Sequence, residues 1–137
     1  MEAPSPARLY ASVAGVALLL LGVLGFFYTA SFAGLDDYEE ALGALQVNGW
    51  LNLFYVATGA IGLLVAGVSS RTYSLIVGAL FTVLAIVGWG SDWLNVAVAV
   101  LGLAAAAGTK RGSKVLQERT KEPRKSKPRA KAARQRP

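Results

Sequence analysis

The chain has no cysteine and no histidine, and its one methionine is the first residue. Disulfides and thiol chemistry are thereby excluded, as are zinc sites of the usual Cys/His kind. The commonest general acid–base side chain is missing too. Haem ligation by His, Cys or an internal Met is excluded, which leaves only rarer ligands such as Tyr. No catalytic, metal or cofactor site is expected, and the chain reads as a non-enzyme.

Charge is scarce over most of the length. Between Arg8 and Lys110 the only base is Arg71, and the only acids are Asp36, Asp37, Glu39, Glu40 and Asp92. The net charge of +6 therefore describes the C-terminal end and not the body. Apolar residues, glycine not counted, make up 54% of the chain. That exceeds the ~45–50% of soluble domains, where glycine is included, and points to the membrane class.

Four uncharged stretches emerge, at about residues 9–28, 50–70, 72–91 and 93–109. A helix needs roughly 17–25 apolar residues to cross the hydrocarbon core, so all four qualify. The basic residues orient them. With four spans drawn, all fourteen Lys and Arg fall on one side and the acidic loop falls on the other. The expected topology is multi-pass in the plasma membrane with both termini cytoplasmic. Trp50, Trp89, Trp93 and Tyr28 fall at outer span ends, and Tyr10 and Tyr73 at inner ones, as interfacial rings prefer. Residues 1–33 also admit a signal-peptide reading, with Arg8 as the n-region and Ser31-Phe32-Ala33 as the cleavage site. Their apolar run is longer than the roughly 7–15 residues of such a region, which favours a retained span.

An internal repeat supports the same architecture. Trp50-Leu51-Asn52 opens the second span and Trp93-Leu94-Asn95 the fourth, each followed by a glycine, Gly59 and Gly102, at one fixed distance. Gly15 and Gly25 in the first span match Gly78 and Gly88 in the third. Two copies of a two-span hairpin enter from the same side, so the repeats are parallel. The expected fold is all-α and integral to the membrane. It is a four-transmembrane-helix bundle of two parallel helical-hairpin repeats over residues 1–109, with a disordered C-terminal tail.

Helical periodicity places Asn48, Asn52, Tyr55, Gly59, Gly62 and Ala66 on one face of the second span. Asp92, Asn95, Ala99, Gly102 and Ala106 share a face of the fourth. Lipid gives helices no hydrophobic reward for association, so small residues and interhelical hydrogen bonds must supply it. Gly15, Gly25, Gly59, Gly78, Gly88 and Gly102 are accordingly expected to be packing glycines. Asn48, Asn52, Tyr55 and Asn95 are candidate interhelical polar contacts, with a lock between Asn52 and Asn95 favoured over a ligand or ion site. No Asp, Glu, Lys or Arg lies mid-span, which argues against proton-coupled transport.

The outer segment Leu35–Leu42 lacks the alternating oxygen ligands of a calcium loop and reads as a solvated acidic loop, with room for a short surface helix. Residues 110–137 carry twelve bases against Glu118 and Glu122, with three prolines, and cannot bury a core. Lys110, Arg111, Lys114, Arg119, Arg124 and Lys125 stand nearest the membrane, where each base near the surface adds about 1 kcal/mol of attraction to anionic lipid. No aromatic residue is interleaved to stack on bases, so nucleic acid is not an expected partner.

The segment Val47-Asn48-Gly49-Trp50-Leu51-Asn52-Leu53-Phe54-Tyr55-Val56-Ala57-Thr58-Gly59, with its echo Asp92-Trp93-Leu94-Asn95, resembles a family of four-span bacterial membrane proteins common in actinobacteria. That family is the DUF4383 type, a domain of unknown function, and the resemblance covers about residues 8–108. Asn48, Asn52 and Gly59 fit its motif. Leu51, Tyr55 and Asn95 stand where the resemblance implies His, so any metal or proton chemistry resting on those His is absent here. The resemblance implies the architecture and no activity. The expected role is association with lipid or membrane-protein partners, a second copy included. The alternative is a subunit of a small channel or transporter.

Overall fold

The computed structural model describes residues 3–121, with side chains through residue 109. Among the described residues four helices and one two-stranded hairpin form: α1 (Pro6–Tyr28), β1 (Glu39–Ala41), β2 (Leu45–Val47), α2 (Gly49–Val65), α3 (Ser70–Val87) and α4 (Asp92–Lys121). Three helices, α1, α3 and α4, are long and apolar enough to cross a membrane, and α2 is a shorter apolar helix of 17 residues.

The ends follow local chemistry. Ser5 caps α1 by accepting from the Arg8 N–H (3.2 Å), and Pro6 occupies the first position, where its missing N–H costs nothing. Asn48 caps α2 through the Leu51 N–H (2.7 Å). Gly88 closes α3 in the left-handed region (φ 74°), its N–H donating to the Leu84 carbonyl.

The helices are shorter or longer than the uncharged runs. The 50–70 run contains the end of α2 at Val65 and a turn, because Gly67 and Ser69 are uncharged yet weak helix formers. The 72–91 run likewise ends early, at Gly88. In contrast, α4 continues past Thr109 to Lys121. The tail residues Arg124 and Lys125 lie outside the described residues, as do the side chains of Lys110, Arg111, Lys114 and Arg119. Disorder is the expectation over 110–137; residues through 121 are helical instead, and residues 122–137 lie outside the described residues. The loop between α1 and α2, expected as a solvated acidic loop with room for a short surface helix, holds a β-hairpin. Glu39 pairs with Val47, Glu40 with Gln46 and Ala41 with Leu45; Ala41, Leu45 and Val47 are buried, and both acids are exposed.

Two helix pairs, α1–α2 and α3–α4, carry the closest packing. In the first, α1 presents Gly15, Gly22 and Gly25 to Asn52, Val56 and Gly59 of α2. A Cβ at Gly59 would stand 2.5 Å from the Leu19 nitrogen and 2.6 Å from the Gly15 carbonyl oxygen, so the two backbones touch. In the second pair a Cβ at Gly78 would meet Leu103, and one at Gly102 would stand 2.9 Å from the Ser74 carbonyl oxygen. A Cβ at Gly88, grouped by sequence with the packing glycines, would meet nothing within 4 Å; that glycine serves as the helix cap. Tyr55, Phe81, Leu18 and Leu51 are the largest fully buried apolar or aromatic side chains, and Phe54 joins Tyr55, Phe81 and Trp89 in an aromatic cluster.

The outward surface of the helices is apolar. Phe27, Leu64, Val68 and Ile86 are each at least 80% exposed, amid many more exposed Leu, Val and Ile. Water-soluble monomers rarely present contiguous apolar patches beyond a few hundred Å². This is a membrane protein's surface.

Candidate functional site: a buried polar layer beneath the outer hairpin

The buried asparagines of α2 and α4, Asn52 and Asn95, lie at the end nearest the β-hairpin. Asn52 donates from Nδ2 to the carbonyl of Thr29, the residue that ends α1 (3.0 Å). Asn95 donates from Nδ2 to the carbonyl of Trp89, just past the cap of α3 (2.8 Å). The expected bond between Asn52 and Asn95 is therefore not formed. Each amide instead fastens its helix to the end of the helix before it, because the close pairs are α1–α2 and α3–α4. Carbonyls at helix C-termini lack intrahelical donors, and an amide in an apolar setting meets that need.

Asn48 works the same way on the loop. While its Oδ1 caps α2, its Nδ2 donates to the Leu35 carbonyl (2.9 Å). Trp89 Nε1 donates to the same carbonyl (3.1 Å), Trp50 Nε1 to Phe32 O (3.2 Å) and Trp93 Nε1 to Ala44 O (3.0 Å). All three indoles thus tie down the segment between α1 and α2. Gln46 N–H donates to Ser91 Oγ (2.8 Å), joining β2 to the start of α4. Replacing Trp89 with Phe should raise amide exchange across residues 35–47 about five-fold, read by hydrogen–deuterium exchange, since one such bond contributes roughly 1 kcal/mol.

Under this cap, three buried polar atoms have no hydrogen-bond partner: Asn52 Oδ1, Tyr55 Oη and Asn95 Oδ1. Their residues are at most 1% exposed. Tyr55 reaches the Trp89–Gly90 turn, and Tyr38 Oη accepts from the Gly90 N–H (3.3 Å). Tyr55, Tyr38 and Asn95 thus surround one turn. Asn52 Oδ1 faces Gly25, where a Cβ would overlap it.

At the opposite end the tyrosines sit otherwise than interfacial rings would. Tyr10 and Tyr73 are buried, their rings 6.4 Å apart. Tyr10 Oη donates to Val98 O on α4, and Tyr73 Oη to Thr58 O on α2, each at 2.9 Å. Each tyrosine crosses from its own helix pair to the other. Ala7 N–H adds a bond to Thr109 Oγ1 (2.9 Å) that fixes the start of α1 on α4.

One comparison bears on identity: the profile of a domain of unknown function, DUF4383, matches residues 8–108, which include the whole polar layer and both tyrosines. The chain belongs to the DUF4383 family. No curated protein and no solved structure matches it. Among the described residues of this DUF4383 domain no group of three His, Cys, Asp or Glu could hold a metal ion. Sequence reasoning missed the loop-binding role of the three tryptophans. Their even placement at span ends was visible, but their acceptors are carbonyls, which every residue carries.

Proposed function

We propose that this DUF4383 protein is a four-span plasma-membrane protein, termini cytoplasmic, that acts by binding lipid or membrane-protein partners and not by catalysis. One observation carries the reading: the buried side chains of Tyr10, Asn48, Asn52, Tyr73 and Asn95 all donate to the chain's own backbone carbonyls. Groups so engaged hold a structure together and are not free to bind or transform a substrate. The exposed faces are apolar, and the bases lie on one side. At 17 residues α2 spans about 26 Å, within reach of a core ~30 Å thick given slight thinning.

The two helix pairs are read as parallel repeats. In support, Tyr10 and Tyr73 make matching crossed bonds, and Asn52 and Asn95 make matching bonds to the preceding helix end. Reporter fusions at the carboxyl end and beside Tyr38 should register opposite compartments. The same compartment for both would end the four-span reading.

The second reading, a subunit of a small channel or transporter, draws on the three unpartnered polar atoms. Liposomes holding only this protein should show no ion or solute flux above protein-free vesicles. Flux abolished by Asn95→Leu would transfer support to the second reading.

A further inference from the structure

At the end of α3 nearest the β-hairpin lies a groove of about 390 Å³, lined by Leu35, Asp36, Leu84, Val87, Gly88 and Trp89. Leu84, Val87 and Gly88 recur at three- and four-residue steps, so one face of the last turn of α3 forms one wall. Leu35 and Asp36, from the loop after α1, form the other. Trp89 Nε1 joins the walls by donating to the Leu35 carbonyl at 3.1 Å, and Asn48 Nδ2 donates to the same oxygen. The loop wall is thus pinned to α2 and to the end of α3. Its size falls within the roughly 300–1,000 Å³ of small-molecule sites.

Three features specify the charge of its occupant. First, Asp36 lies in the wall, and among the described residues every base stands far from it. Arg8 and Arg71 are at the starts of α1 and α3, whereas Asp36 follows the end of α1 and the groove lies at the end of α3. Arg71 and Val87 are sixteen residues apart on one helix, about 24 Å at ~1.5 Å per residue. The next base, Lys110, is eighteen residues along α4 from Asp92, about 27 Å by the same rise. Second, Gly88 and Trp89 N–H both donate to Leu84 O, and Gly90 N–H goes to Tyr38 Oη. The carbonyls of Ala85 and Ile86 thereby lose the donors that a continuing helix would give them, and the last turn of α3 holds no base to offset its negative end. Third, Trp89 brings an indole, the ring that attracts cations best. Carboxylate, helix C-terminus and indole all favour positive charge, and Leu35, Leu84 and Val87 add an apolar wall.

We propose that this groove binds a lipophilic organic cation of the quaternary ammonium or phosphonium type, its charge at Asp36 and Trp89 and its apolar groups on Leu84 and Val87. The assignment goes beyond the lipid- and partner-binding reading above and requires no catalytic group. A zwitterionic lipid headgroup fits less well. Its phosphate would lie among Asp36, Asp37, Glu39 and Glu40, with no base of the described residues at that end to meet it.

Equilibrium dialysis of tetraphenylphosphonium against the full-length protein in phosphatidylcholine nanodiscs, with protein-free nanodiscs subtracted, tests this. One cation should bind per chain, saturably. Tetraphenylborate, of the same shape and opposite charge, should show no protein-dependent binding. Asp36→Asn should weaken binding of the cation about five-fold, the effect of one surface ion pair. Asp37→Asn should leave it unchanged, since Asp37 lies against Gly34 and not in the groove wall. Val87→Lys sets a cation of the chain's own beside the carboxylate and should abolish binding; Val87 is exposed, and a base suits a helix C-terminus. If Val87→Lys loses helix content by circular dichroism, Val87→Trp fills the same groove. Equal losses from Asp36→Asn and Asp37→Asn would overturn the site in favour of diffuse charge. Binding retained in both Val87 variants would overturn it, as would equal uptake of tetraphenylborate. Displacement of the cation when phosphatidylethanolamine replaces phosphatidylcholine would assign the groove to a lipid headgroup and overturn the proposal.

Discussion

Gly59→Ala is expected to lower the stability of the protein by about 3 kcal/mol, with loss of α1–α2 packing. The added methyl would meet the Leu19 nitrogen at 2.5 Å, the Gly15 carbonyl oxygen at 2.6 Å and the Leu19 Cα at 2.9 Å. All three are backbone atoms of α1, so no side-chain rotation relieves the overlap, and the helices must part. Parting them also disturbs Gly22, which lies against the backbone of Asn52 and Val56, and the Asn52–Thr29 bond. Gly108→Ala supplies the contrast. Its Cβ would find only Pro6, at an ordinary 3.5 Å, so the usual gain of about 1 kcal/mol from replacing a helical glycine should appear. Reversible unfolding in mixed micelles measures both. Equal effects from the two substitutions would mean that α1 and α2 do not meet at Gly15 and Gly59.

Tyrosine-to-phenylalanine changes at positions 55 and 73 are expected to act in opposite directions. The Tyr73 hydroxyl donates to Thr58 O, and its removal should cost roughly 0.6–2 kcal/mol, the range of interhelical polar contacts in membranes. The Tyr55 hydroxyl is buried without a partner, a state that costs about 1–3 kcal/mol, so Tyr55→Phe should stabilise the protein by about 1 kcal/mol or more. The ring itself remains, stacked on Phe81 with centroids 6.4 Å apart, so packing changes little. The same micelle unfolding reads both signs. Destabilisation by Tyr55→Phe would reveal a partner for that hydroxyl and move weight to the channel or transporter reading.

Much of the plan was legible in the chain because membranes impose few and simple rules. The face carrying Asn48, Asn52, Tyr55, Gly59 and Gly62 could be drawn from helical spacing, and those residues lie buried together. Boundaries were less legible. Gly67, Val68 and Ser69 make a turn but carry no charge, and hydropathy alone reads them as more span. The outer hairpin was hidden because its strands are three residues each and its inward face holds only Ala41, Leu45 and Val47.

By itself, then, the amino-acid order determined which stretches avoid water, where along the chain the bases cluster and which helix faces are small or polar. These depend on the composition of short segments against a uniform solvent. Partner choice was decided only by the tertiary structure. Asn52 bonds Thr29 and not Asn95, Tyr10 and Tyr73 cross between helix pairs, and three tryptophans hold one loop. Each of those donors ends on a backbone carbonyl. Every residue bears one, so no side-chain pattern marks the acceptor, and only the packing of the backbones determines which carbonyl lies within reach.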